Sequence, residues 1–137
     1  MTAADVTAAR PTLLDADVLI AHLNPDDAQH SRAVDRLELA AAQGPLAASV
    51  LTVAEVLVNP SAGGVGEQAY AALKAMDVTV LDIPADAAVQ LASLRARTGR
   101  RMPDCCVLLA AARTGGAVLT FDEKLRGSAA ELGISVC

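Results

Sequence analysis

Tryptophan is absent from the 137 residues, and tyrosine and phenylalanine occur once each, as Tyr70 and Phe121. The chain therefore has no row of aromatic faces on which the bases of a single strand could stack. Cysteine is scarce: Cys105 and Cys106 are adjacent, and Cys137 stands alone. With no CxxC pair, neither zinc spacing nor a disulfide framework fits, and reduced thiols in a cytosolic protein are the simplest reading. Long apolar runs are missing too. The longest, Cys105 to Ala112, falls far short of the ~20 residues needed to cross a bilayer. The start, MTAADVTAAR, lacks the basic and apolar regions of a signal peptide. Positive charge is in deficit, with 11 Lys and Arg against 16 Asp and Glu for a net charge of −5. A protein that holds nucleic acid through its backbone is normally basic, so the overall balance speaks against that class of partner.

What remains is aliphatic. Hydrophobic residues make up 53% of the chain, mostly Ala, Val and Leu, which suits helices packed closely on a sheet. A chain of this length forms one domain and buries roughly two thirds of its unfolded surface. Residues 1–11 read as a loose start ending at Pro11. Short apolar strands are expected at 12–14, 46–48, 78–83 and 117–120, with a possible fifth at 134–136. Helical periodicity marks 16–23, a segment opening at Asn24-Pro25-Asp26-Asp27 and running to about 42, then 51–58, 66–76, 85–98, 104–113 and 122–132. Asn59 to Gly64 reads as a loop. Strands alternating with helices predict an α/β domain over residues 1–137, with a central parallel sheet of four to five strands flanked by helices on both faces.

Four acids stand out by position. Asp15 and Asp122 follow the first and fourth strands, at the edge where open α/β sheets bind ligands. Glu55 lies within the helix after the second strand, and Asp104 opens the helix begun at Pro103. If the topology holds, the four converge, and convergence is costly. Two carboxylates about 4 Å apart repel by about 4 kcal/mol at an effective dielectric near 20. A cation or raised pKa values must relieve that repulsion. An all-oxygen donor set selects Mg²⁺ or Mn²⁺ rather than zinc. Each acid also has a plainer reading. Asp15 and Asp122 suit turns or caps, and Asp104 suits the dipole at a helix start. Glu55 is hardest to explain in that way: Val53, Ala54, Val56, Leu57 and Val58 surround it, and no Lys or Arg is nearby in sequence.

The segments LLDADVLIAHL (13–23), DAQHSRAVDRL (27–37), SVLTVAEVLVNP (49–60) and RMPDCCVLLAAARTGGAVLTFDEKL (101–125), in this order and spacing, resemble PIN-domain ribonucleases. Within that family the likeness is to the VapC-type toxins of bacterial toxin–antitoxin pairs. The resemblance spans nearly the whole chain. It implies that Asp15, Glu55, Asp104 and Asp122 hold Mg²⁺ or Mn²⁺ and hydrolyse RNA phosphodiester bonds. It also implies a small VapB-type antitoxin as partner and a homodimer as the common assembly. One position departs from the family pattern: Asp17 stands where Ser, Thr or Asn is usual, adding a fifth acid that could be a ligand, a neighbour of the ligands or a helix cap. Thr120 fits the family's small hydroxyl position and could orient a carboxylate or a bound water.

Charge is unevenly spread. Between Arg95 and Arg126 there are seven basic residues against three acids. Arg95, Arg97, Arg100 and Arg101 precede Asp104 and could hold RNA phosphates beside the metal; equally, they could be a solvated helix end. His22 and His30 read as structural or surface residues, and Cys105 and Cys106 as core. Two rival functions remain open. A haloacid-dehalogenase-like phosphatase would use Asp15 as nucleophile and Asp17 as acid, with Asp122 and Glu123 as its late acidic pair. That reading leaves Glu55 without a task and offers only Lys74 before the last motif. A PIN-like module that binds RNA or protein without cleaving is the other.

Overall fold

The computed structural model describes residues 2–137. Four parallel strands, β1 (Thr12–Leu14), β2 (Leu46–Ser49), β3 (Val78–Leu81) and β4 (Ala117–Leu119), form one sheet in the order β3-β2-β1-β4. Among the described residues, eight α-helices cover it: α1 (Ala3–Ala8), α2 (Ala16–Leu23), α3 (His30–Gln43), α4 (Val50–Ala62), α5 (Gly66–Ala75), α6 (Ala88–Thr98), α7 (Met102–Thr114) and α8 (Glu123–Glu131). Side chains alternate across the strands with the expected period of two. Leu13, Ala47, Leu81 and Val118 enter one core with α1, α6, α7 and α8, whereas Leu14, Leu46, Ala48, Val78 and Leu119 enter a second core with α2, α3, α4 and α5. The expected α/β class, with helices on both faces, is what the chain adopts.

β1 is central, and successive crossovers leave it in opposite directions. β2 and β3 lie to one side, reached through α2–α5; β4 lies to the other, reached through α6 and α7. The ends of β1 and β4 therefore flank the point where the winding reverses, the usual ligand crevice of such sheets. The backbone N–H of Asp15 donates to the Leu119 carbonyl at 3.0 Å and fixes the two ends side by side.

Several element limits differ from the sequence reading. Residues 3–8 are helical rather than loose. Thr2 and Asp5 form a capping box, and the side chain of Val6 is fully buried. Helix α3 starts at His30, later than expected. Asn24 Oδ1 accepts from the Asp26 N–H at 3.1 Å and Asp27 Oδ1 from the Gln29 N–H at 2.8 Å; these local bonds compete with helix. Helix α4 runs through Pro60 instead of ending before it. Its buried Thr52, Val53 and Val56 anchor it, and the Pro60 carbonyl is satisfied by the Val65 N–H at 2.8 Å. Strand β3 stops at Leu81, and the fifth strand shrinks to one bridge between Val118 and Val136.

Two glycines shape the link into β4. Gly115 ends α7 with φ 69°, a left-handed cap that favours glycine. At Gly116 a Cβ would overlap the Pro11 carbonyl oxygen and crowd Leu13. Among the described residues no helix is long and apolar enough to cross a membrane.

Candidate active site

Three helices begin at the carboxyl edge of the sheet with an acid in or before their first turn. Asp15 is the N-cap of α2, and its Oδ1 accepts from the Ala16 N–H at 2.8 Å. Asp122 is the N-cap of α8, and its Oδ1 accepts from the Lys124 and Leu125 N–H groups at 2.9 and 3.3 Å. Asp104 lies in the first turn of α7 and is only 9% exposed. The capping reading thus holds for Asp15 and Asp122, and it coexists with clustering because the helices converge on one crevice.

Thr120 joins two of the acid-bearing segments. The residue is 1% exposed, and its hydroxyl donates to Asp15 Oδ2 at 2.7 Å and accepts from the Asp122 N–H at 3.0 Å. Asp17 Oδ2 lies 3.4 Å from the same hydroxyl and accepts the Phe121 N–H at 3.0 Å. The other oxygen of Asp17, Oδ1, is buried without a hydrogen-bond partner. An orphaned buried carboxylate oxygen is expensive unless a further ligand takes it.

The acids are coupled through their charges. Burial pushes Asp15 above the usual carboxylate range, opposed by its bonds to Thr120 and Ala16; the Asp122 charge adds to the rise. Burial and then the Asp15 charge push Asp17 up to about 6. Glu55 and Asp104 are raised first by burial and then by Asp15, and each is partly relieved by Arg101. Glu55, half-buried on α4, therefore has its counter-charge after all, delivered from the residue that precedes α7. Among the described residues no three His, Cys, Asp or Glu side chains are already gathered as a finished metal cage. The fit to a hard cation rests on the all-carboxylate donor set, the mutual repulsion and the orphaned Asp17 Oδ1.

The arginine cluster divides. Arg95 is spent on the α6–α7 turn, donating to the Gly99 and Arg100 carbonyls at 2.9 and 2.7 Å. Arg97 is exposed on the last turn of α6. Arg100 and Arg101 bear on Asp104, and Arg101 also on Asp15 and Glu55. His30 Nδ1 lies 2.8 Å from the Ala21 carbonyl oxygen, and its ring tilts against His22 at 6.3 Å, so both histidines serve the α2–α3 junction. Cys105 and Cys106 are buried, as the apolar run implied. One neighbour escaped the sequence reading. Arg32, in the first turn of α3, places its guanidinium 4.3 Å from the centroid of the Phe121 ring. A cavity of about 330 Å³, lined by Ile20, Leu23, Asn24, Val56 and Asn59, adjoins Glu55.

The PIN domain family model matches residues 12–130. The chain belongs to the PIN domain family. None of the curated protein sequences matches it as a relative. Solved structures do. VapBC2 from Rickettsia felis, bound to a DNA fragment from its promoter, is similar with a TM-score of 0.71 at 16% identity, covering 92% of this chain and 96% of that one. VapC20 from Mycobacterium tuberculosis, described as a sarcin–ricin loop cleaving toxin, gives 0.69 at 21% identity, covering 85% and 94%. A toxin–antitoxin complex from Klebsiella pneumoniae gives 0.64 at 23% identity, covering 81% and 86%. At these identities the likenesses carry the fold. The acid edge of this PIN domain, from Asp15 across Thr120 to Asp122, sits where its parallel sheet reverses winding.

Proposed function

We propose that this PIN domain is an endoribonuclease toxin that hydrolyses RNA with Mg²⁺ or Mn²⁺ and is restrained by a small VapB-type antitoxin. The observation that carries the reading is the coupled acid edge, with Asp15 held by Thr120 and Ala16 and in electrostatic contact with Asp17, Glu55, Asp104 and Asp122. Asp15, Glu55, Asp104 and Asp122 would hold the cation, with Asp17 Oδ1 as a further donor. When bound, such a cation lowers the pKa of a water and neutralises charge on the phosphodiester. The chain's own residues do the rest. Thr120 fixes the orientation of Asp15 and, through the Asp122 N–H, the start of α8. Arg101 offsets part of the negative field, which lets a polyanion approach. Below about pH 6 Asp17 keeps its proton in the cation-free protein, so cation binding there must expel it and apparent affinity rises with pH.

The toxin–antitoxin complexes among the structural neighbours support the antitoxin. Exposed Val58, Val65 and Tyr70 along the α4–α5 hairpin support a homodimer. The three unpaired thiols support a reducing, cytoplasmic setting.

A digest of total RNA by antitoxin-free protein tests the reading. Cleavage is expected with Mg²⁺ or Mn²⁺, and its loss in EDTA and in Asp15→Asn. No cleavage by the wild type would favour a non-catalytic binding module. The phosphatase alternative leaves Glu55, coupled by charge to Asp15 and Asp104, without a task. Asp17→Asn should weaken RNA cleavage, while a phosphatase would lose all activity.

A further inference from the structure

We propose that Arg32 binds a phosphate of the RNA strand next to the Phe121–Asp122 segment of the acid edge. The inference rests on the ribonuclease reading and adds a substrate contact to it. Its basis is how the guanidinium is held. Arg32 is exposed, yet it is stationed over the Phe121 ring at 4.3 Å, a contact worth about 0.5–1 kcal/mol at an exposed site. The contact with the ring uses none of the guanidinium's five N–H donors as a partner for an oxygen. No carboxylate takes them, because the ion pairs among the described residues are Arg113–Asp86 and Arg126–Glu123.

The post on which Arg32 rests is itself fixed at the site. The Phe121 N–H donates to Asp17, its ring packs against the core beneath α2 and α3, and the next residue is Asp122. Arg32 is thus a cation positioned on the segment that leads into Asp122. In a chain of net charge −5, local fixed cations decide where a polyanion can settle. A planar, bidentate donor set suits phosphate better than the point charge of a lysine.

The test uses a fluorescein-labelled single-stranded RNA and the full chain with Mg²⁺, in an Asp15→Asn background for binding. Arg32→Ala should weaken binding by about threefold to tenfold at low salt. It should also flatten the plot of log affinity against log salt by about 0.7, the value for one phosphate contact on a single strand. Arg10→Ala removes the same charge from an exposed site ahead of β1 and should change neither. Phe121→Leu keeps the charge and should keep the slope while losing part of the affinity. In the cleaving protein, Arg32→Ala should raise KM several-fold, with the same loss of salt sensitivity, and leave kcat within about twofold. A merely structural clamp on Phe121 would instead lower Tm and kcat with the salt slope intact, and that outcome overturns the proposal. So does an Arg32→Ala protein that matches Arg10→Ala while the parent cleaves RNA. If the parent neither binds nor cleaves RNA, the ribonuclease reading itself fails and takes this inference with it.

Discussion

Thr120 occupies one hydroxyl with two acid-bearing segments: it donates to Asp15 and accepts from the Asp122 backbone. Asp17, against the same hydroxyl, is the acid most disturbed, raised to about 6 first by burial and then by Asp15. The sign of its effect on stability follows. Between about 4 and 6 the folded chain keeps a proton that the unfolded chain has released, so Asp17 lowers stability as pH rises through that window. In metal-free protein, Asp17→Asn should therefore gain on the wild type as pH rises from ~4 to ~7, by on the order of 2 kcal/mol once solvent screening of this partly exposed carboxylate is allowed for. Urea melts across that range check it, and a difference independent of pH would contradict it. At this scale strand ends marked Asp15 and Asp122, a helix start marked Asp104 and apolar flanks marked Glu55, while Asp17 and Thr120 stood out only through the family resemblance. The counter-charge from Arg101 to Glu55 and the Arg32–Phe121 stack were not visible in the sequence. Both are contacts between distant segments, and no local pattern encodes them.

The elements obey two local rules that could be read ahead: alternation along strands and helical periodicity between Gly and Pro breaks. The misread limits have physical causes. α1 is too short to show a period, and its signal is the Thr2–Asp5 box and the single buried Val6. Side chains of Asn24 and Asp27 delay α3 by bonding the turn ahead of it. α4 passes Pro60 by only two residues, Ser61 and Ala62, before the Val65 N–H takes up the Pro60 carbonyl and closes the end. The link between α7 and β4 depends on close approach. Gly116 lies against the Pro11 carbonyl and Leu13, and the Ala117 N–H donates to that carbonyl at 3.1 Å. Gly116→Ala should force β1 and β4 apart and destabilise the chain by about 1–3 kcal/mol, as overpacking does. Because these strands deliver Asp15 and Asp122, RNA cleavage should fall by more than the unfolded fraction explains. Denaturant melts paired with an activity assay on the folded fraction check both parts. A variant as stable and active as the wild type would show that the strands can shift freely.

At the scale of the whole molecule, an acidic chain is arranged so that its acids and part of its basic charge meet at one crevice. The order β3-β2-β1-β4 puts the winding reversal between β1 and β4, and the helices that begin there bring Asp15, Asp104 and Asp122 from distant parts of the sequence. The parallel sheet and its two helical layers were legible from alternation alone. The exact order of strands was not, since short apolar strands carry no pairing code. The central claim is that Asp15, Glu55, Asp104 and Asp122 act as one cation site. Mn²⁺ titration followed by electron paramagnetic resonance tests it most directly, on wild type and on Asp15→Asn, Glu55→Gln, Asp104→Asn and Asp122→Asn. Each substitution should weaken Mn²⁺ binding by about tenfold or more, while Glu38→Gln, exposed on α3, should bind as the wild type does. Wild-type Mn²⁺ affinity in two or more of the four variants would contradict the claim.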